Sequence, residues 1–210
     1  PISIGDWQPE NIDKKYHGEV SLTEALAKSY NLATINLAQS LSKSEIIRTA
    51  QKMGITTPIQ NTPSLALGAF EVKVIDMAVA YSAIANGGYA TWPYAIKEIY
   101  SRDGYQLYMR ENDDNNQILD RRAVKDMAKM LERVIQTGTG RKAKLPFFAA
   151  GKTGTSQDYR DAWFVGFTDK YIAAVWVGND DNSPMKKVGG SSLPAEIWRK
   201  VMLAAHENHD

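Results

Sequence analysis

Hydrophobic residues recur three and four positions apart over most of the first 136 residues, a spacing typical of helices that bury one face. The clearest example begins at Arg121 and places Val124, Leu131 and Ile135 on one side. The glycines of the Thr137–Gly140 run should end this helix, and we interpret the run as a helix terminus. The pattern therefore predicts one long amphipathic helix near the middle of the chain.

Shorter helices are indicated by their start signals. Ser21 and Ser42 each stand three residues before a glutamate, which is the capping-box pattern of a helix N-terminus. A further helical stretch should follow Tyr30-Asn31, and Gly54 should end the helix that begins after Ser42. Another apolar helix face begins at Val74. Together these signals predict a mostly helical block in the first two thirds of the chain.

After residue 146 the pattern changes to runs rich in β-branched and aromatic residues, which predict strands. Three such runs follow one another, at residues 147–155, 162–168 and 171–177. An earlier hairpin is predicted around Asp103-Gly104, with a polar loop from Asn112 to Gln117 after it, and Pro194 favours the start of a closing helix. A helical block, an antiparallel sheet and a closing helix together predict an α+β fold. We expect Trp163, Phe164, Phe167 and Trp176 to lie in its core.

Composition excludes several classes of function. With 210 residues, 43% of them hydrophobic, the chain is long enough for a single domain with a sizeable core. A net charge of +1 leaves no basic surface for nucleic acid. No apolar run approaches the roughly 18 residues that span a bilayer. Because the chain begins at Pro1, we expect it to be a mature or excised piece of a longer protein. The sequence therefore leaves open whether an export signal or a membrane anchor lies upstream.

Cysteine and histidine usage restricts the chemistry further. The chain has no cysteine, which excludes disulfides and thiolate catalysis. Its three histidines are His17, His206 and His209, and none forms the spacing of a Ser-His-Asp hydrolase or a zinc enzyme. The acidic pairs at Asp113-Asp114 and Asp180-Asp181 lie in polar turns, where solvated carboxylates are the better interpretation than a metal or glycosidase site. Lysine, a carboxylate or tyrosine must therefore do any acid–base work.

The Gly151-Lys152-Thr153 run raises the question of phosphate binding. A P-loop needs a glycine five residues before its Gly-Lys-Thr, and position 146 is proline. The segment after it, at residues 161–167, also predicts a strand where a P-loop requires a helix. We therefore reject phosphate binding.

Two tripeptides match the marks of penicillin-recognising serine enzymes, S-x-x-K, S-x-N and K-T-G. Lys152-Thr153-Gly154 gives the third mark on a predicted strand, and Ser29-Tyr30-Asn31 gives the second upstream of it. The surrounding strings S-L-T-E-A-L-A-K-S-Y-N-L-A-T-I-N-L-A, M-A-V-A-Y-S-A-I-A-N-G-G and D-A-W-F-V-G-F-T also resemble the transpeptidase domain of class A penicillin-binding proteins. This resemblance covers nearly the whole chain and implies a β-lactamase/transpeptidase-like fold. Tyr30, where β-lactamases have aspartate, favours a penicillin-binding protein.

The resemblance implies a role for each residue of the two motifs. Lys152 would bind the carboxylate of a D-Ala-D-Ala peptide or a β-lactam, and the hydroxyls of Thr153 and Thr155 would donate to the same carboxylate. The Thr155 N–H would form half of an oxyanion hole. Gly154 would let the substrate chain approach the strand. Ser29 would relay a proton to the leaving amine, and Asn31 would donate its amide to a substrate carbonyl.

Structural alternatives stand beside these roles. Lys152 could be a solvated strand-edge lysine, and Gly154 could mark a bulge. Ser29 and Asn31 could form a polar turn at a helix C-terminus, with the asparagine in the left-handed conformation.

The nucleophilic serine of S-x-x-K is not found in its expected place. Ser40–Lys43 and Ser183–Lys186 fit the pattern, but both follow S-x-N instead of preceding it. A helix break at Ser42 should separate the first pair, and Pro184 lies inside the second. We therefore expect residues 1–210 to be the C-terminal part of one transpeptidase domain, incomplete because the chain begins after the S-x-x-K helix.

The function expected from the resemblance is peptidoglycan cross-linking through an acyl-serine intermediate, with stem peptides and β-lactams as ligands and no cofactor. The location would be periplasmic, with the full-length protein anchored in the inner membrane by an N-terminal segment. A complementary N-terminal fragment is a further expected partner. Two alternatives stay open: a β-lactamase-like hydrolase, and a non-catalytic domain that binds peptide or β-lactam without its nucleophile.

Overall fold

The fold is known from a computed structural model that describes residues 1–111 and 116–207. Its α-helices are α1 (Leu22–Lys28), α2 (Asn31–Gln39), α3 (Lys43–Lys52), α4 (Val74–Ala85), α5 (Arg121–Gln136) and α6 (Leu193–Glu207). Its strands are β1 (Glu98–Tyr100), β2 (Gln106–Met109), β3 (Ala150–Thr155), β4 (Asp161–Phe167) and β5 (Ile172–Gly178). The element order agrees with the predicted α+β arrangement. Asp113-Asp114, most of the polar loop around them, and His209 lie outside the described residues.

Of the two predicted capping boxes, one forms a side-chain capping hydrogen bond and the other does not. The hydroxyl of Ser21 accepts a hydrogen bond from the Glu24 N–H at 3.2 Å and so caps α1 as predicted. Ser42 also precedes a helix, but its hydroxyl pairs with the Ser44 hydroxyl at 2.8 Å and gives α3 no side-chain cap. The expectation of a capping bond at Ser42 was therefore wrong, although the helix itself begins where predicted.

The sheet that carries the K-T-G motif is antiparallel in the order β3-β4-β5. Lys152 lies opposite Val165 in β4, Thr153 opposite Phe164 and Gly154 opposite Trp163. Because successive residues of a strand point to opposite faces, Lys152 and Thr153 project to different sides of the sheet. In the part of the chain that the structure describes, β3 pairs with β4 alone and is an edge strand.

Helices cover both faces of this sheet. On one face α6 packs against β4 and β5, where the buried side chains of Phe164 and Trp198 meet with ring centroids 5.1 Å apart. On the other face, side chains of α4 and α5 surround Phe167. Phe164 and Phe167 are therefore core residues as expected, whereas Trp163 and Trp176 are only half-buried. Among the described residues no helix combines the length and apolarity that a bilayer crossing needs.

Candidate active site

Two motifs far apart in the sequence meet at one point of the structure. The Lys152 amine donates a hydrogen bond to the Ser29 hydroxyl at 2.9 Å and another to the Thr153 carbonyl at 3.0 Å. Ser29 and Lys152 are 123 positions apart. Helix α5 packs against both α1 and β3, and in this way brings the end of α1 next to the K-T-G strand.

Ser29 reaches the lysine through an unusual backbone conformation. It ends α1 with φ 57° and ψ 48°, in the left-handed region that few residues other than glycine adopt. Asn31 instead begins α2. The structural alternative that placed the asparagine in the left-handed conformation was therefore wrong, because the serine takes that position. Such a conformation persists only where surrounding contacts hold it.

The surroundings of Lys152 change its acid–base properties. The side chain is half-buried, and its two hydrogen-bond acceptors belong to an uncharged hydroxyl and a carbonyl. Burial lowers the pKa of Lys152 to about 8, because a charged amine loses hydration there. Its half-buried position and its two hydrogen bonds, with Ser29 and Thr153, distinguish Lys152 from a solvated strand-edge lysine.

This lowered pKa predicts a pH-dependent stability. Between about 8 and the ordinary pKa of 10.5, the unfolded chain binds more protons at Lys152 than the folded chain. Rising pH therefore favours the folded state over that window. We expect the difference in unfolding free energy between wild type and Lys152→Met to move in favour of wild type as pH rises through it. Urea unfolding at several pH values measures this, and a pH-independent difference would contradict the shift.

Thr153 is held by a residue outside the two motifs. Its hydroxyl lies 2.7 Å from the hydroxyl of Thr139, whose backbone N–H donates to the Ala27 carbonyl at 3.0 Å. A Cβ on the neighbouring Gly138 would lie 2.1 Å from that same carbonyl oxygen, so glycine is required there. The Thr137–Gly140 run ends α5 as predicted, but it also joins α1 to the K-T-G strand. The repeated T-G-T-G sequence ahead of K-T-G was the one sequence signal that could have indicated this supporting role of Thr139.

Gly154 and Thr155 are contacted by a later segment of the same chain. The Gly190 N–H donates to the Thr155 hydroxyl at 3.0 Å. A Cβ on Gly190 would lie 2.4 Å from the Gly154 carbonyl oxygen, whereas one on Gly154 would meet the Trp163 Cβ at 3.2 Å. The backbone that approaches Gly154 in this structure is thus Gly190. The register of β3 on β4 runs without a shift, so the bulge alternative was wrong.

Asn31 contacts the N-terminal part of the chain, which the sequence predicts only as irregular loop. Its side-chain amide donates to the Glu10 carbonyl at 2.9 Å. The next backbone N–H, of Leu32, donates to the side chain of Asn11 at 3.1 Å. The ring of Tyr30 stacks on His17 with centroids 3.9 Å apart. A segment around residues 10–17 therefore lies along the S-Y-N turn.

The two S-x-x-K strings do not place serine and lysine on one helix. Ser40 follows the end of α2 and Lys43 begins α3, so the predicted helix break separates them. Ser183 and Lys186 lie in the loop between β5 and α6. No group of three metal-ligating side chains occurs within residues 1–111 and 116–207. Lys152 lies within strand β3, which is followed by one short 3-10 turn (Gln157–Tyr159) and strand β4, and not by the α-helix that a P-loop requires.

Comparison with known proteins identifies the architecture. Residues 1–203 match the family model described as penicillin binding protein transpeptidase domain. The whole chain is 36% identical to penicillin-binding protein 1A of Aquifex aeolicus, and 91% of it is 33% identical to penicillin-binding protein 1B of Haemophilus influenzae. It covers 29% and 26% of these two relatives, so it spans less than a third of their length.

Solved structures agree. The chain superposes over its full length, with a TM-score of 0.91 and 25% identity, on 62% of the structure of PonA1 from Mycobacterium tuberculosis. The same protein in complex with penicillin V matches with a TM-score of 0.92. The predicted fold class, helices with antiparallel sheets in a transpeptidase-like arrangement, is confirmed.

Proposed function

Because the chain belongs to the penicillin-binding protein transpeptidase domain family, we propose that it is the C-terminal part of a class A domain that cross-links peptidoglycan. Members of this family are serine D,D-transpeptidases. The observation that carries the proposal is the 2.9 Å contact between the Lys152 amine and the Ser29 hydroxyl, which unites the K-T-G and S-x-N marks. The expected location is periplasmic, attached to the membrane through a segment outside this chain.

In the proposed reaction, a serine hydroxyl gives up its proton and its oxygen attacks the carbonyl carbon between two D-alanines of a stem peptide. The amide C–N bond breaks, the nitrogen takes up a proton, and D-alanine leaves while the acyl group stays on serine as an ester. An amine of a neighbouring stem peptide then attacks the ester, and the serine oxygen regains a proton. With a β-lactam the broken amide lies in a ring, so the leaving nitrogen stays attached.

The residues of this chain would bind and orient the substrate. At neutral pH a lysine with a pKa of about 8 is mostly protonated, so Lys152 supplies a cation for the substrate carboxylate. Thr155 accepts from the Gly190 N–H, which leaves its own hydroxyl hydrogen free to donate to that carboxylate. Because Thr153 and Thr155 project to one side of β3 and Lys152 to the other, the carboxylate would lie at the edge of the strand, where all three can meet it. Ser29 would pass a proton towards the leaving nitrogen, with the Thr155 N–H as an oxyanion donor. Asn31 would offer its second amide hydrogen to a substrate carbonyl.

The nucleophile would come from an S-x-x-K segment encoded upstream of Pro1. We expect the 210-residue chain alone to give no covalent adduct with fluorescent penicillin, whereas the complete gene product gives one adduct per chain. Mass spectrometry of both proteins measures this. An adduct on the isolated chain would mean that one of its own serines is reactive, and no adduct on the complete product would disprove the transpeptidase proposal.

The two rival functions differ from a transpeptidase in how they treat a β-lactam. A β-lactamase-like hydrolase would turn over nitrocefin with fast deacylation, whereas a transpeptidase keeps a long-lived acyl-enzyme. A non-catalytic binding domain would hold ligand reversibly, and its gene would show no S-x-x-K upstream of the S-Y-N motif. The time course of nitrocefin colour and of adduct loss therefore distinguishes all three.

A further inference from the structure

We propose that Asn11 is a positioning residue that holds the Ser29–Asn31 turn in its reactive geometry; the inference rests on the proposed function. We call residues 10–17 the N-terminal clamp, since this segment lies along that turn. Asn11 lies outside both motifs and 21 positions before its contact in α2. It touches no residue to which we assign a part in substrate binding, so its action is indirect.

Asn11 supplies a helix cap that the local sequence does not. The first turn of a helix leaves backbone N–H groups without partners, and the N-cap side chain usually accepts from one of them. Tyr30 occupies the N-cap position of α2 and makes no such bond. The side-chain oxygen of Asn11 accepts from the Leu32 N–H at 3.1 Å instead. The start of α2 is therefore fixed by the clamp.

The asparagine is itself held firmly. Its side chain is buried, with 6% of its surface exposed, and its amide nitrogen donates to the Lys15 carbonyl at 2.7 Å. Both ends of the amide are thus engaged, one inside the clamp and one in α2. An asparagine uses a donor and an acceptor at once, which neither a hydrophobic residue nor a carboxylate can do at this position.

Further contacts of the clamp fall on the same turn. The Asn31 amide donates to the Glu10 carbonyl, and Tyr30 stacks on His17, whose ring nitrogen lies 2.8 Å from the Asp13 carboxylate. Two of the three residues of S-Y-N therefore touch the clamp. The remaining one, Ser29, has the left-handed backbone conformation, which costs of order 1–3 kcal/mol and persists only where surrounding contacts outweigh that cost. The N-terminal clamp holds Tyr30, the residue directly after Ser29, and so helps to keep the serine in this conformation.

Asn11→Ala tests the proposal in the complete gene product. We expect the limiting rate of acylation by penicillin to fall about 10- to 100-fold with little change in the initial binding constant, because a small displacement of a reacting group has effects of that size. Asn11→Asp keeps the acceptor for the Leu32 N–H but loses the donor to Lys15. It should acylate within about threefold of wild type, even though its melting temperature falls.

Asp76→Ala is the matched control for loss of stability. Asp76 is also buried, and it accepts from the Thr56 N–H and hydroxyl, both at 2.7 Å, so it anchors a different segment to α4. This variant should melt at a lower temperature and acylate normally. The proposal is wrong if Asn11→Ala acylates at the wild-type rate, if aspartate fails to restore the rate, or if both alanine variants lose acylation in step with melting temperature.

A second measurement does not need the nucleophile. NMR titration of the Lys152 side chain should give a higher pKa in Asn11→Ala than in wild type, because a displaced Ser29 admits water to the amine. The Asp76→Ala titration should match wild type, and equal Lys152 pKa values in all three proteins would overturn the proposal. If wild type is not acylated, the proposed function fails, while this titration still decides the role of Asn11.

Discussion

Lys152→Ala is expected to lower the second-order rate of acylation by penicillin by about 30- to 4000-fold. Truncating one partner of a buried charged contact costs about 2–5 kcal/mol, and each 1.4 kcal/mol is a factor of ten. Here the lost partner is the half-buried cation that we propose for the substrate carboxylate, and its contact with the Ser29 hydroxyl is lost too. The time course of fluorescent labelling of the complete gene product measures the rate.

Two further variants separate charge from fit. Lys152→Arg keeps the positive charge, but a planar guanidinium does not fit the contacts of a compact amine with the Ser29 hydroxyl and the Thr153 carbonyl. We expect its rate to lie between those of wild type and alanine. Lys170→Ala, in the exposed turn between β4 and β5, should leave the rate unchanged. Wild-type labelling of Lys152→Ala would refute the role assigned to the lysine.

Trp198→Ala should give the largest loss of stability. Its side chain is fully buried against Phe164, and its indole N–H donates to the carbonyls of Gly166 and Ala173 at 3.3 and 3.1 Å. Removing a buried tryptophan costs about 3–5 kcal/mol. For a chain of this size that corresponds to a melting temperature roughly 6–20 °C lower. Thermal unfolding followed by circular dichroism measures the shift.

Two controls divide this loss into packing and hydrogen bonding. Trp198→Phe keeps most of the apolar volume and loses the indole N–H, so we expect a loss of about 1–3 kcal/mol from the missing hydrogen bonds. Trp92→Ala removes a tryptophan that is 54% exposed and should hardly change the melting temperature. A shift for Trp198→Ala no larger than that of Trp92→Ala would mean that the α6 face of the sheet is not the core.

The elements could be predicted because their signals are local. The apolar stripe of α5 predicts that Leu131 and Ile135 face the core, and both are buried. The Ser21 cap depends on residues three positions apart. Ser42 shows the limit of such signals. Its sequence pattern matches that of Ser21, but its hydroxyl pairs with the Ser44 hydroxyl and not with a backbone N–H of α3. The pattern alone does not tell which competing partner wins.

The supporting residues of the site could not be predicted for a different reason. Asn11, Thr139 and Gly190 act on partners 21, 14 and 35 positions away. No periodicity encodes such distances, because they depend on how the helices and the sheet pack. The motifs therefore indicated Ser29 and Lys152, while the residues that hold those motifs in place emerged only from the fold.

The 123 positions between Ser29 and Lys152 also set an order of events during synthesis. At about 5–20 residues per second, the lysine is made roughly 6–25 seconds after the serine. Glu10 and Asn11 of the N-terminal clamp precede Asn31 and Leu32, which they contact, by only 21 positions. Both are therefore already synthesised when the S-Y-N turn is made. The nascent chain can thus shape the serine turn early, and the K-T-G strand then docks onto a turn that is already formed.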